Sequence, residues 1–278
     1  MTASASLEFV GTATTILRLG PFTLLTDPNF LHRGQLVYLG KGLFSRRLTE
    51  PSLQPAQLPS LDAVVLSHLH GDHFDRVARQ QLDRSLPVLT TPAAARKLDR
   101  WGFGAAEGLR TWESRVLERD GWQLQVTSAP GVHGPGPMRH VMPPVMGTVL
   151  ELREAGAVRH RTYISGDTLF RPWLREVTER HGHLDAAVLH LGGTRAFGIL
   201  VTMDAEQGAG LTELLAADAT VPIHHDDYGV FRSPVADFEA ECVRRGIGSV
   251  RRVERGERVS LTDQPTEMPT DDPTGGAT

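Results

Sequence analysis

The apolar residues of the chain fall into short runs whose spacing changes repeatedly between that of strands and that of helices. The opening stretch "SLEFVGTATTILRLGPFTLLTD" predicts a meander of strands with a turn at its "GP" dipeptide. The nearly continuous apolar run "DAVVLS" at 62–67 is typical of a buried strand. Residues 76–82 and 91–102 then have helical spacing, and a strand at 87–91 separates them.

The second half of the chain contains paired strands followed by a regular alternation of strands and helices. Strands flank the Asp120-Gly121 turn, and Ser233 and Pro234 are predicted as the cap and first turn of the last helix. Residues 31–60, which contain three prolines, are predicted to be irregular. The alternating part comprises helices at 176–182, 204–216 and 233–246 and strands at 184–193 and 219–225. This mixture indicates an α/β fold.

Side chains of the kinds that bind metals follow four of the predicted strands directly. The stretch 68–73 follows the buried strand, and His133, Asp167 and His224 each follow a later strand. Strand ends converge at the edge of a sheet, so ligands from distant parts of the chain can meet there. Taken singly, such a histidine is ordinarily solvated and an Asp after Gly ordinarily belongs to a turn. Neither explanation accounts for four such side chains within the six residues 68–73.

The spacing within "SHLHGDHFD" makes physical sense as a metal clamp. His68 and His70 are two residues apart, so an extended backbone would point them the same way. Gly71 is expected to let the chain double back, because glycine adopts conformations that other residues resist. Asp72 and His73 would then face a second metal. Neutral imidazoles and carboxylates suit borderline divalent ions such as zinc.

The same stretch resembles the signature of the metallo-β-lactamase superfamily, and "GVHG", "SGDT" and "VPIHHDD" are similar to the remaining ligand motifs of that family. The opening "LEFVGTATTILRLGPFTLLTDP" resembles the first hairpin of that family. Together with the ligand motifs, the resemblance covers roughly residues 6–262. The "PIHHDDYGVF" ending resembles the branch of ascorbate-6-phosphate lactonase-like and N-acyl-phosphatidylethanolamine phospholipase D-like hydrolases. Relatives in that branch often carry "GHAT" where this chain has "GTAT", which places Thr12 where they have histidine.

This resemblance implies a four-layer αββα sandwich, an α/β fold with a binuclear metal site at one edge, in a hydrolase domain spanning residues 1–262. Zn²⁺ is the expected ion, with Mn²⁺ or iron as alternatives. The implied ligands are His68, His70 and His133 for one ion, Asp72, His73 and His224 for the other, and Asp167 as a bridge. His225 competes with His224, which the family's Pro-Ile-His order favours. Asp27 is either a support near the site or the start of a turn.

The predicted function is hydrolysis of an ester, lactone or phosphodiester of a small molecule by a metal-bridging hydroxide, with Asp72 and Asp167 as catalytic groups. The chain contains no Gly-x-Ser-x-Gly elbow, no P-loop and no Gly-x-Gly-x-x-Gly after a strand. Two alternatives stay open. One is a nucleic-acid-processing nuclease on the same fold, and the other is a non-catalytic or di-iron redox metal-binding protein.

Loop residues around the motifs suggest what a substrate would meet. Basic side chains in loops would suit an anionic substrate, although each one singly is more simply explained as solvated charge. These are Arg33, Lys41, Arg46, Arg47 and Arg139. The glycine- and proline-rich loop 134–144 is expected to shape the pocket, and Met138, Met142 and Met146 offer apolar contacts or core packing. His190, at another strand end, is a candidate for substrate contact.

The composition of the chain indicates which kinds of partner the protein binds and where in the cell it is expected. Four of the 33 acids, at 263, 267, 271 and 272, lie in a Pro- and Thr-rich tail at 263–278 that is predicted to be disordered. The rest of the chain therefore has as many acids as its 29 bases, which argues against a nucleic-acid partner. A single cysteine, no signal peptide and no membrane span favour a cytoplasmic protein. The expected partner is a small molecule, and assembly into a homo-oligomer is left open.

Overall fold

Two β-sheets packed face to face form the centre of the computed structural model, which describes residues 4–40 and 42–262. Lys41 and the acidic tail predicted at 263–278 lie outside the described residues. The first sheet consists of β1 (Ala5–Gly11), β2 (Thr14–Leu19), β3 (Phe22–Thr26), β6 (Ala63–Val65), β7 (Val88–Thr90), β8 (Ala106–Gly108) and β17 (Arg258–Ser260). Their order is β17-β1-β2-β3-β6-β7-β8, antiparallel as far as β3 and parallel from there on.

The second sheet has six strands and the same division into an antiparallel and a parallel part. It consists of β9 (Ser114–Arg119), β10 (Trp122–Pro130), β11 (Met146–Glu154), β12 (Ala157–Ile164), β13 (Ala186–His190) and β16 (Ala219–Ile223). Their order is β16-β13-β12-β11-β10-β9, with β12, β13 and β16 parallel to one another. Each sheet thus combines a meander with strands that are joined through helices, as the sequence pattern predicts.

Helices cover the outer face of each sheet. They are α1 (Arg76–Gln81), α2 (Pro92–Asp99), α3 (Glu176–His181), α4 (Ala205–Leu215) and α5 (Val235–Arg244). Ala78 and Leu98 of the first two helices pack on the first sheet, while Leu211 and Phe238 of α4 and α5 pack on the second. The longest helix of the described residues has 11 residues, and no helix among them is long and apolar enough to cross a membrane.

Three apolar layers hold these four structural layers together. Leu7 of the first sheet and Leu150 of the second belong to the layer between the sheets. Side chains alternate between the two faces of a strand, so the next residue along the strand points the other way. Val64, between Ala63 and Val65 of the central layer, accordingly joins the layer under the first pair of helices, and Val149, next to Leu150, joins the layer under α3, α4 and α5. The prediction of a four-layer αββα sandwich is confirmed.

Two short hairpins stand outside the sheets, and the sequence pattern did not reveal them. They are formed by β4 (Leu36–Gly40) with β5 (Leu43–Arg46) and by β14 (Arg195–Ala196) with β15 (Ile199–Leu200). The prediction that residues 31–60 are wholly irregular is therefore wrong. Burial does alternate along β4, but the exposed positions Leu36 and Tyr38 are themselves apolar. The sequence consequently lacks the polar alternation by which a half-buried strand is recognised.

The start of α5 also differs from the prediction. Pro234 occupies the cap position, and no side chain caps the helix. The Ser233 hydroxyl instead accepts a hydrogen bond of 2.9 Å from the backbone N–H of Ala205, the first residue of α4. Ser233 therefore satisfies a free N–H group at the start of a neighbouring helix, a contact that local spacing does not encode.

A buried carboxylate ties α3 to the second sheet. Glu151 of β11 accepts hydrogen bonds from Arg161 Nε at 3.0 Å and from His181 Nδ1 of α3 at 2.9 Å. Burial alone would raise the pKa of the Glu151 carboxyl, but these two hydrogen bonds and the nearby Arg153 hold that pKa at about 2. The folded protein therefore favours the ionised carboxylate more strongly than the unfolded chain does.

We expect Glu151→Gln to destabilise the fold at neutral pH by about 1.5–3 kcal/mol, the usual contribution of hydrogen bonds to a charged group. Because the folded-state pKa is depressed, the wild-type advantage is fully present above the ordinary value of 4.5 and fades as the pH falls towards 2. Urea unfolding of both proteins between pH 7 and pH 2.5 measures this difference. Other acids titrate in both proteins alike, so a difference that stayed constant with pH would contradict the assignment.

Candidate metal centre

Four strand ends from the two sheets meet at one edge of the sandwich, and each delivers ligand-type side chains. The stretch 68–73 follows β6 of the first sheet, whereas His133, Asp167 and His224 follow β10, β12 and β16 of the second. All seven side chains predicted as ligands are brought together there, in two adjoining groups. All but His70 are buried.

The first group consists of three imidazoles. The Nε2 atom of His68 lies 3.0 Å from His70 Nδ1, and the Nε2 atom of His133 lies 3.4 Å from the same nitrogen. Three ring nitrogens thus converge on one point. The rings meet edge to face, with centroids about 5 Å apart. This arrangement suits a cation held by three nitrogens and open on its fourth side.

The second group combines two imidazoles with two carboxylates. It consists of Asp72, His73, Asp167 and His224, whose candidate ligand atoms all lie within 4.8 Å of one another. Asp167 occupies the position between the groups, because its Oδ2 atom lies 3.3 Å from His73 Nε2 and 4.0 Å from His133 Nε2 of the first group. This is the place that a bridging ligand would need.

Hydrogen bonds on the outer side of the rings fix which nitrogen faces the centre. Nδ1 of His133 donates to the Val201 carbonyl at 2.8 Å, and Nδ1 of His224 donates to the Leu191 carbonyl at 3.1 Å. A carbonyl only accepts, so both rings carry a proton on Nδ1, which leaves Nε2 to face the ligand groups. This is the tautomer that binds metals through Nε2.

Asp27 supports the group around His73 from behind. Its Oδ2 atom lies 3.2 Å from Nδ1 of His73 and 3.2 Å from Nε2 of His190, and its Oδ1 atom accepts the backbone N–H of Ser67 at 2.7 Å. Of the two interpretations of Asp27, the structure therefore favours a support near the site. His190 is fully buried and contacts Asp27, so it is not positioned to touch substrate.

Burial keeps the first group neutral. It lowers the pKa of His68 well below the ordinary value and that of His70 to about 3. In the second group burial also acts against charge on His73, but the carboxylates of Asp167, Asp27 and Asp72 outweigh it and raise its pKa well above the ordinary value. Three buried carboxylates thus favour positive charge in this group, and a bound cation would stabilise them.

The donor atoms of the centre fit divalent metal ions. Asp72 Oδ1, His73 Nε2 and Asp167 Oδ1 are buried and have no hydrogen-bond partner among the described residues. Unpartnered buried polar atoms are costly, and here all three belong to residues of the same group. Imidazole nitrogens with carboxylate oxygens are the ligands of zinc, manganese and iron sites.

The turn that carries the ligands at 68–73 is held by contacts on both sides. Gly71 in this turn was predicted to adopt a backbone conformation that other residues resist. Its φ angle is not positive, so no unusual backbone conformation is involved. A Cβ atom there would instead lie 2.5 Å from the backbone oxygen of Tyr38 in β4. The glycine is therefore required by the close approach of the hairpin. Beyond the turn, Asp75 caps α1 and accepts the N–H groups of Phe30 and Leu31.

His224 is positioned by a strained turn of the first hairpin. Its backbone N–H donates to the Thr12 carbonyl at 2.7 Å, and both residues have positive φ angles of 61° and 55°. The N–H of Thr12 in turn donates to Asp227 Oδ2 at 2.7 Å, which forms a fully buried ion pair with Arg47. Thr12 thus contributes its backbone here. His225 lies outside the ligand groups, against Phe9.

A small chamber opens beside the two groups. Its volume is about 20 Å³, enough for a single water molecule. Its lining includes His70, Asp72, His133 and Asp167, together with Thr194, whose buried hydroxyl has no hydrogen-bond partner among the described residues. The sequence reasoning missed Thr194, because a threonine before a short hairpin carries no signal of its own.

The loop cations expected near a substrate lie elsewhere. Arg33, Arg46 and Arg139 are exposed, and Arg47 is fully buried against Asp227. Arg139 contacts the neighbouring His140 through a nitrogen–nitrogen distance of 3.1 Å. None of these four side chains lines the chamber or the larger pocket that adjoins it at Leu39, Leu43, His70, Met142 and Ala196.

The fold and the buried histidine–aspartate groups define a metal-binding protein of the metallo-β-lactamase type. The sequence profile described as "Beta-lactamase superfamily domain" matches residues 23–225. The chain therefore belongs to this superfamily, and the prediction of the superfamily is confirmed. The narrower branch that the "PIHHDDYGVF" ending resembles stays a prediction.

Relatives and solved structures resemble most of the chain. An uncharacterized protein of Mycobacterium tuberculosis is 28% identical over 238 residues, which cover 82% of this chain and 59% of the relative. A protein of Deinococcus radiodurans named UPF0173 metal-dependent hydrolase is 28% identical over 205 residues, 72% of this chain and 80% of the relative. The isothiocyanate hydrolase from Delia radicum gut bacteria has the same fold, with a TM-score of 0.77, 19% identity and coverage of 93% of this chain and 100% of that one. The chain thus spans about three fifths of the mycobacterial relative's length.

Proposed function

We propose that the protein is a metal-dependent hydrolase that holds two divalent ions, Zn²⁺ being expected, and cleaves an ester, lactone or phosphodiester of a small molecule. The observation that carries this proposal is the position of Asp167 between two ligand groups, beside a chamber that accommodates one water molecule. The names of relatives such as the Deinococcus protein support the same activity class. In this proposal His68, His70 and His133 hold one ion, Asp72, His73 and His224 hold the other, and Asp167 contacts both.

Divalent ions at such a site lower the pKa of a bound water and polarise a carbonyl or phosphoryl oxygen. The residues of the chain supply charge and orientation. The pKa of Asp72 is lowered: burial opposes ionisation, but His73 and His224 overcome it, so Asp72 is an ionised carboxylate that accepts hydrogen bonds. Thr202 donates to Asp167 Oδ2 at 3.2 Å and holds that carboxylate in place. The unpartnered Thr194 hydroxyl is positioned to donate to a substrate oxygen.

Of the two rival functions, the nuclease is less well supported by the molecule. A nuclease would need a basic face along which to bind a polyanion, whereas the chain outside its acidic tail is neutral overall. A di-iron redox protein would use the same ligand types, so only the identity of the bound metal and its spectrum separate that function from hydrolysis.

A substrate panel tests the proposal. The purified full-length chain, loaded with Zn²⁺, Mn²⁺ or Fe²⁺, is assayed with 4-nitrophenyl esters, γ- and δ-lactones, bis(4-nitrophenyl) phosphate and a structured RNA. We expect hydrolysis of at least one small-molecule class, its loss after treatment with a chelator and its return when metal is restored. Cleavage of RNA alone would favour a nuclease. Absence of hydrolysis together with an iron-dependent visible absorption band would favour a redox protein.

A further inference from the structure

An apolar pocket lies directly outside the chamber of the metal centre. Its volume is about 500 Å³, in the range of small-molecule sites. Three loops surround it: the β4–β5 hairpin, the segment around residues 138–143 and the β14–β15 hairpin. The residues that line both the pocket and the chamber are Leu39, Leu43, His70, Met142 and Ala196. The pocket and the chamber are therefore adjoining cavities.

The described lining of this pocket contains neither a carboxylate nor a cation. Apart from His70 and the hydroxyl of Tyr38, its side chains are apolar, among them Met138, Val141 and Phe197. A charged substrate group would lose its hydration here without gaining a described partner of opposite charge, whereas an apolar group would gain by leaving water.

Phe197 provides an independent sign that the pocket binds apolar groups. It is 79% exposed and adopts a φ angle of 52° at the tip of the β14–β15 hairpin. A bulky residue in this left-handed region is strained, and glycine would occupy the position at lower cost. The exposed ring contributes little to the core, so the fold itself gives no reason for an aromatic side chain there. Its one described environment is the wall of the pocket.

The cations near the site face a different groove. A second cavity of about 570 Å³ lies between the β4–β5 hairpin and helices α1 and α2, and Arg76, Arg79 and Lys97 line it. Of the residues around the chamber, this groove contacts His70 alone. Anionic groups held by these cations would therefore lie in a cavity whose lining includes neither Asp72 nor Asp167.

We infer that the group bound next to the scissile bond is uncharged and apolar, an alkyl chain or an aryl ring, and that Phe197 and Met142 bind it. This inference rests on the proposed function in so far as it names the substrate class of that reaction. It differs from the expectation of an anionic substrate that the basic loop residues suggested, and the displacement experiment below decides between the two.

Binding of a neutral dye tests the pocket without relying on hydrolysis. Nile red fluorescence is titrated with the zinc-loaded full-length chain, and the dye is then displaced with 1-octanol or with octyl sulfate, which have the same chain length. We expect saturable binding and displacement by 1-octanol at a lower concentration than by octyl sulfate. Phe197→Gly should weaken dye binding by about 5–10-fold, the effect of losing part of an aromatic contact, and Met142→Glu should abolish it.

The variants separate loss of the pocket from loss of the fold. Phe197→Gly is expected to keep or raise the melting temperature, because glycine relieves the strained φ angle. Val243→Ala serves as the matched control, since Val243 is 77% exposed on α5 and does not line the pocket. Unchanged dye binding in both pocket variants, or better displacement by octyl sulfate, would overturn the inference.

Hydrolysis adds a second readout. For any ester found active, each methylene added to the acyl chain should raise kcat/KM by roughly fourfold until the pocket is full. Phe197→Gly should raise KM with little change in kcat, because the ring binds substrate and transition state alike. Hydrolysis with no dependence on chain length would contradict the apolar pocket and leave the proposed function intact. Dye binding at the pocket without any hydrolysis would reject the proposed function instead.

Discussion

Asp167→Ala is expected to abolish tight metal binding and the proposed hydrolysis together. Asp167 lies between the two ligand groups, so its removal takes away the carboxylate oxygen nearest to both His73 and His133. Changes to residues that only support a ligand already reduce metal affinity or activity by about 10–100-fold, so loss of this carboxylate should cost more than about 100-fold in kcat/KM. The metal content of the purified variant, measured alongside its activity, checks both effects.

Two further variants make this result specific. Asp167→Asn keeps the volume and one acceptor oxygen but removes the negative charge, so we expect it to bind metal weakly and to hydrolyse slowly. Asp218→Ala removes a carboxylate that pairs with His183 away from the site and should retain metal and activity. If Asp167→Ala kept a full complement of metal and full activity, its assignment as the bridging ligand would be wrong.

Asp227→Ala is expected to lower the free energy of unfolding by about 3–5 kcal/mol, because it leaves the guanidinium of Arg47 buried without its partner. Both side chains are fully buried, and Arg47 Nη2 lies 3.1 Å from Asp227 Oδ1. The same carboxylate accepts the N–H of Thr12, whose carbonyl holds the backbone of His224. The variant should therefore also bind metal less tightly. Urea unfolding and zinc titration measure the two effects.

The double variant Arg47→Met/Asp227→Leu is the control for the buried charge. Replacing both members of a buried ion pair by apolar residues often restores stability, whereas removing one member does not. We therefore expect the double variant to be more stable than Asp227→Ala. A single variant that differed from the wild type by less than about 1 kcal/mol, the contribution typical of exposed ion pairs, would contradict the burial of this pair.

Much of the fold and the location of the candidate site could be predicted because the signals are local. The strand at β6 is a continuous apolar run, and the cluster from His68 to His73 follows it directly. The later ligands likewise stand at the ends of apolar runs, so their approximate meeting place follows from the sheet edges. Their role as ligands remains a prediction. The structure adds that they lie in two groups with Asp167 between them.

The contacts that were not predicted join distant parts of the chain. Arg47 looked like a loop cation, because its partner Asp227 lies 180 residues further along. Asp27 and His190 are 163 residues apart, so neither carried a sign of their contact. The apolar pocket was hidden for another reason: Tyr38 and Phe197, which line it, are exposed apolar residues on hairpins, and hydrophobic patterning assigns such residues to a core.

The ratio of bound metal to protein is the most direct test of whether these separate strand ends hold a pair of ions. The full-length chain is equilibrated with zinc, freed of unbound metal by gel filtration and analysed by plasma mass spectrometry. We expect about two zinc ions per chain, falling below one in Asp167→Ala, as a shared ligand requires. A wild-type protein that retained no zinc, manganese or iron after this treatment would contradict the metal centre and the hydrolytic function built on it.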